Sequence, residues 1–247
     1  MAQSIDRGNN RYVSVVYGVL AAAAVTVAAL PAFADPRPVV VELYTSQGCN
    51  SCPPADALLG ELTQRADVLP LAFHVDYWDS LGWRDSFSSA DATRRQSLYA
   101  PKLGLDGIYT PQMVIDGASD VVGSRRGQVM SLLNGKRDGV SLKATRNAQD
   151  FVVDVGAAKA DGKTAVVLLV AYSANAETKV QRGENAGKTL HEFNIVRGFW
   201  RLGNWTGDAQ QMHFDAAKLP EGTTNIALLL QETGPGPIIG AASFPAN

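Results

Sequence analysis

The chain runs to 247 residues with 22 basic and 24 acidic side chains, a formal net charge of −2. That balance argues against a nucleic-acid partner, which would select basic stripes. Two cysteines are too few for a disulfide-scaffold protein, and outside the N-terminal leader there is no repeat or low-complexity tract.

The leader holds Arg7 and Arg11, partly offset by Asp6, and is almost wholly apolar and Ala-rich from Val13 to Leu30. Ala32-Phe33-Ala34 then precedes Asp35, a small-x-small pattern that predicts a secretory signal peptide over 1–34, cut after Ala34. A membrane anchor is the alternative, since the apolar run is nearly long enough to span a bilayer. The Ala-x-Ala site and the loss of apolar character after it favour cleavage. The expected location is periplasmic or secreted, where a disulfide persists, with no membrane attachment after cleavage. Removing 34 of 247 residues leaves 213, enough for one large or two small domains.

Residues 38–136 read as alternating strands and helices. A nearly continuous apolar strand at 39–44 leads into Ser46-Gln47-Gly48-Cys49-Asn50-Ser51-Cys52. Pro53 and Pro54 are tolerable only in a first helical turn, so a helix must start near the cysteines, and Leu58, Leu59 and Leu62 give its buried face. A second strand at 68–75 completes a parallel βαβ unit. Its carboxyl end places Asp76-Tyr77-Trp78-Asp79 near the cysteine turn. Ser88, Ser89 and Asp91 then open a second helix, a hairpin is expected over 112–122, and Ser124 precedes a third helix. The order is β-α-β-α-β-β-α.

Cys49 and Cys52 are the only cysteines. Three positions apart at a helix mouth, their sulfurs can bond without a large backbone rearrangement. A staple closing so small a ring removes little entropy from the unfolded chain, so a redox role is favoured over a structural one or half of a metal site. Disulfide exchange needs a thiolate, and a helix N-terminus stabilises one. Cys49, more N-terminal and expected to be exposed, is the candidate nucleophile, and Cys52 the resolving thiol. Thiolate and imidazole suit copper, so Cys49, Cys52 and His74 form an alternative metal set, but a satisfied strand histidine is favoured and no cofactor beyond the disulfide is expected. Trp78 and Trp83 offer an apolar lip for a polypeptide, or a cap on the core.

The apolar strand, the CxxC at a helix start and the phrase APKLGLDGIYTPQMVIDG resemble a thioredoxin-like domain. VELYTSQGCNSCPPADALL is also similar to a secreted bacterial family catalogued as domain of unknown function twelve-twenty-three, which carries no firm activity. The resemblance to thioredoxins implies a cis proline at Pro111 facing the disulfide, with Thr110 offering backbone hydrogen bonds to a peptide and Tyr77 and Trp78 beside them. It also suggests Glu42 as a proton relay. The acid of thioredoxin lies six positions before its first cysteine and Glu42 lies seven before Cys49, so a slip of one would turn it to the wrong face. A plain edge or loop-facing carboxylate is the alternative.

Residues 140–247 change character. Seven or so β runs separated by turns, without long helices, predict an antiparallel β-sandwich with its boundary at 135–139. No catalytic constellation appears there, and His191 and His213 lack acidic or thiol neighbours in sequence. Two functions follow. One is an exported thiol–disulfide oxidoreductase acting on a protein or small thiol; the other is a periplasmic binding or assembly protein whose cysteine pair is structural or holds copper.

Overall fold

A computed structural model describes residues 1–2 and 35–247; the expected leader and its cut after Ala34 lie outside the described residues. Among the described residues, no helix is long and apolar enough to cross a membrane. The first half runs β1 (Asp35–Arg37), β2 (Val39–Thr45), α1 (Pro53–Leu62), β3 (Val68–His74), α2 (Ala90–Lys102), β4 (Gln112–Ile115), β5 (Ser119–Val122) and α3 (Arg126–Leu132). The second runs β6 (Arg137–Gly139), β7 (Leu142–Arg146), β8 (Asp150–Val155), β9 (Ala165–Lys179), β10 (Thr189–Trp205), β11 (Gln210–Asp215), β12 (Asn225–Glu232) and β13 (Ile238–Pro245).

β2 and β3 are parallel, from Val39 opposite Val68 to Thr45 opposite His74, and every residue of both is buried. Strands so covered need a layer on each face. Val39, Val41 and Leu43 pack with α1 and α3, through Leu58, Leu59, Leu62, Val129 and Leu133. Val40 and Tyr44 alternate to the other face, with Ala92 and Tyr99 of α2. β4 pairs antiparallel with β2, and β5 with β4.

The boundary expected at 135–139 does not separate two sheets. One eight-stranded sheet runs β13-β12-β9-β10-β3-β2-β4-β5, and β10 joins β3 in parallel at Ile195 opposite Ala72. Within 140–247, the small sheet β11-β8-β7 packs against β9 and β12 through a shared core, while β9, β10, β12 and β13 also extend the first sheet. The physical reason lies in β9, whose stretch from 165 to 172 is apolar on both faces. Leu168, Val170 and Tyr172 enter the core shared with α2, while Val167 and Leu169 pack against Phe151, Val153 and Val155 of β8. A two-faced strand of this kind belongs inside a larger layered core.

Candidate functional site

Cys52 is the N-cap residue of α1, followed by Pro53 and Pro54. The peptide N–H groups of Ala55 and Asp56 donate to its carbonyl at 2.8 and 3.1 Å, and a disulfide joins it to Cys49. Two prolines remove two of the donors that a helix start normally offers an anion. The hydroxyl of Ser51, 3.3 Å from Cys49 Sγ, is therefore a local donor for a thiolate there. Asn50 and Ser51 are exposed, but both cysteines are fully buried. This corrects the expectation of an exposed Cys49. From the second half of the chain, Asn185 donates its amide hydrogens to the carbonyls of Gln47 and Cys49 at 3.0 and 2.9 Å.

The expected substrate-side residues gather at the same edge. The Thr110–Pro111 peptide bond is cis and directly precedes β4, which pairs with β2 through Tyr44 and Gln112. Continuing that register sets Thr110 and Pro111 beside the exit of β2 toward the cysteines. Trp78 spans the gap. Its indole N–H donates to Thr110 Oγ1 at 2.9 Å, and its Cβ would lie 3.2 Å from a Cβ on Gly48. Tyr77 stands half-buried beside Thr110, its phenol pushed above the usual range by burial. Trp83, the other half of the expected lip, donates instead to Gln47 Oε1 at 2.9 Å.

Glu42 is corrected. It shares the α2 face with Val40 and Tyr44, opposite the face on which α1 packs, because strand side chains alternate with period two. There it is fully buried and binds Arg95 through both oxygens, at 2.6 and 2.8 Å. The hydroxyls of Tyr44 and Tyr99 donate to it as well, at 2.9 and 2.7 Å. Such a carboxylate is a paired structural ion, its oxygens bonded to Arg95, Tyr44 and Tyr99 on the α2 face.

A second acid occupies the α1 face. Asp56 lies one turn beyond Cys52, a spacing that puts the two side chains on one side of the helix. Thr45 Oγ1 donates to its carboxylate at 2.8 Å. Burial raises its pKa to about 7; His74 opposes this, and Glu192 and Asp85 add to it. His74, the last residue of β3, shares the α1 face and bonds through Nδ1 to Asp85 Oδ2 at 2.7 Å. Burial works against its charge, but Asp85, Glu192 and Asp56 together raise its pKa to about 9. Asp85 is lowered on balance, burial being outweighed by His74 and by the peptide N–H groups of Gln47 and Phe87. Glu192 is raised, chiefly by burial.

Gln47 ties this cluster to the cysteine turn. Its peptide N–H donates to Asp85 at 2.8 Å and its side-chain amide to Glu192 at 2.8 Å. His74, Asp85 and Glu192 place one nitrogen and two oxygens within 4.8 Å of one another, a hard-to-borderline donor set that excludes both sulfurs. Among the described residues His74, of the disfavoured Cys49–Cys52–His74 alternative, is grouped with Asp85 and Glu192 and not with the sulfurs. Asp56, Asp85, Asn185 and Glu192 were not singled out in the sequence. Asp56 alone carried a local signal, being four residues past Cys52 on the same helix; the others arrive from distant strands and loops.

These features define a mixed α/β protein with a CxxC disulfide at a helix N-terminus and a buried His–carboxylate cluster behind it. The chain belongs to the protein family of unknown function DUF1223, whose model matches residues 40–231. It is also similar, at 32% identity and a TM-score of 0.72, to the crystal structure of protein AGR_C_4864 from Agrobacterium tumefaciens, over 86% of this chain and 96% of that one. No curated protein matches the chain.

Proposed function

We propose that this protein is an exported thiol–disulfide oxidoreductase of thioredoxin-like architecture. The observation that carries the reading is the Cys49–Cys52 disulfide at the start of α1, set at the same edge as the cis Thr110–Pro111 bond. In the oxidising direction a substrate thiolate attacks Cys49 Sγ. The Cys49–Cys52 bond breaks, a mixed disulfide forms, and Cys52 leaves as a thiolate. A second substrate thiolate attacks the substrate sulfur of the mixed disulfide and releases Cys49 as a thiolate. Two substrate thiols become one disulfide, and the two electrons reside on the cysteine pair. Run backward, the same steps reduce a substrate disulfide.

Asp56 supports this chemistry because its pKa of about 7 lets it give a proton to the departing Cys52 thiolate and take one back at neutral pH, the match that general acid–base transfer needs. Thr110, Pro111, Tyr77 and Trp78 form the edge against which a thiol-bearing peptide would lie. The test is equilibration with a glutathione redox buffer followed by alkylation of the freed thiols. The reading predicts a two-electron transition that disappears in Cys49→Ser and Cys52→Ser. A pair that stays oxidised across the whole buffer range would overturn it.

A further inference from the structure

β9 and β10 form a long hairpin, and the eight residues of its tip, 181–188, lie against the cysteine turn. Asn185 stands out in that tip. It is fully buried, while its neighbours from Gln181 to Glu184 and from Ala186 to Lys188 are exposed. A buried asparagine in an exposed turn has to find partners for every polar atom. Its Nδ2 donates to the Gln47 and Cys49 carbonyls at 3.0 and 2.9 Å, and its Oδ1 accepts from Lys188 Nζ at 2.9 Å. Two further contacts hold the tip down. The Glu184 carboxylate accepts from the Asn50 peptide N–H at 3.3 Å. Gly183, at φ +77°, packs so closely that an added Cβ would lie 3.1 Å from Trp83 Cβ.

We infer that Asn185 is the latch of a gate over the disulfide: the hairpin tip must lift before a thiol can reach Cys49 Sγ, so the second half of the chain determines which thiols react. This rests on the redox reading of the pair and adds its selectivity. A sulfur with no exposed surface reacts through an opened minority state, and the observed rate scales with the population of that state. Attack on a disulfide also requires approach along the S–S axis, so a bulky thiol needs a wider opening than a small one. Asn185 is a positioning residue here, acting through the backbone of residues 47 and 49.

The full-length oxidised protein tests this directly. Reduction by dithiothreitol and by reduced glutathione is followed by trapping the freed thiols with a maleimide and counting adducts by mass. In the wild type, glutathione should lag dithiothreitol by more than it does on the same chain unfolded in urea. Asn185→Ala, which loses two buried hydrogen bonds, should speed the glutathione reaction about tenfold or more and the dithiothreitol reaction by less. Gly183→Ala, which forces a Cβ toward Trp83 without removing any hydrogen bond, should shift the same ratio in the same direction. Unchanged ratios in both variants, or a wild-type ratio equal to that in urea, would sink the gate. The equilibrium position against glutathione, measured on the same samples, separates the two ideas. A pair that never equilibrates removes the redox reading, while the rate ratios still report the latch.

Discussion

On the α2 face of the central sheet, Glu42 meets Arg95 in a two-point ion pair completed by Tyr44, Tyr99 and, from β12, Gln231, which accepts from Arg95 at 3.0 Å. On the α1 face one cation, His74, is shared among Asp85, Asp56 and Glu192. The first cluster balances one charge with one charge and satisfies each oxygen. The second sets three acids around one base, and burial, with a smaller addition from the neighbouring carboxylates, raises Asp56 and Glu192. Both clusters draw a partner from the second half of the chain, so both tie the halves together. Only the frustrated one borders the disulfide. A matched buried pair is structural, whereas a mismatched one stores protons near neutral pH, which is what sulfur chemistry uses.

Breaking the matched pair should give the largest effect. Arg95→Met leaves Glu42 buried without its cation and should cost about 3–5 kcal/mol of stability in denaturant titration. The thiol–disulfide equilibrium of whatever fraction remains folded should not move.

Asp56→Asn sharpens the contrast by removing the mismatched charge. The folded pKa of Asp56 is raised above its usual 3.8 to about 7, so its contribution to stability is complete below about pH 4 and is lost as pH rises through 7. Asp56→Asn should therefore be more stable than wild type at pH 8, by about 1–2 kcal/mol once partial exposure is allowed for. It should also flatten the decline between pH 4 and 7 and abolish the inflection near pH 7 in the rate of thiol exchange. His74 acts over a higher window. Its folded pKa of about 9 exceeds its usual 6.5, so its stabilising charge is intact below about pH 6.5 and lost through pH 9. The decline above pH 7 should persist in Asp56→Asn and vanish in His74→Gln.

The smallest effect belongs to the bridge. Trp78→Phe deletes the single hydrogen bond to Thr110 and should cost about 1 kcal/mol. It should slow exchange with a peptide thiol a few fold while leaving the equilibrium with glutathione in place.

Much of this site could be read from local sequence. Pro53-Pro54 after the cysteines marks where α1 must begin, and Asp76 to Trp78 follows from the parallel βαβ connection. The face of Glu42 was only half legible: a period of two makes an offset of seven from Cys49 point opposite to an offset of six, but whether the Ser46-Gln47-Gly48 turn absorbs the extra residue is a property of the folded turn. The apolar run from 165 to 172 does not end where its hydrophobic residues do but continues to Lys179 as the single strand β9, since Ala174 to Glu177 continue the alternation with small and polar residues. Within the eight-stranded sheet the halves meet at one parallel pair, Ile195 with Ala72, that no local pattern encodes. Asn185 sits in an Arg-Gly-Glu-Asn-Ala-Gly run whose composition signals only a turn. Its burial is a property of what it lands on.

The measurement that bears most directly on this account is the reduction potential of the Cys49–Cys52 pair in the folded protein. A redox-active pair should fall within the span of known exchange catalysts, from about −270 to about −120 mV. A value below about −300 mV, where structural disulfides of secreted proteins lie, would make the bond a staple and contradict the proposal.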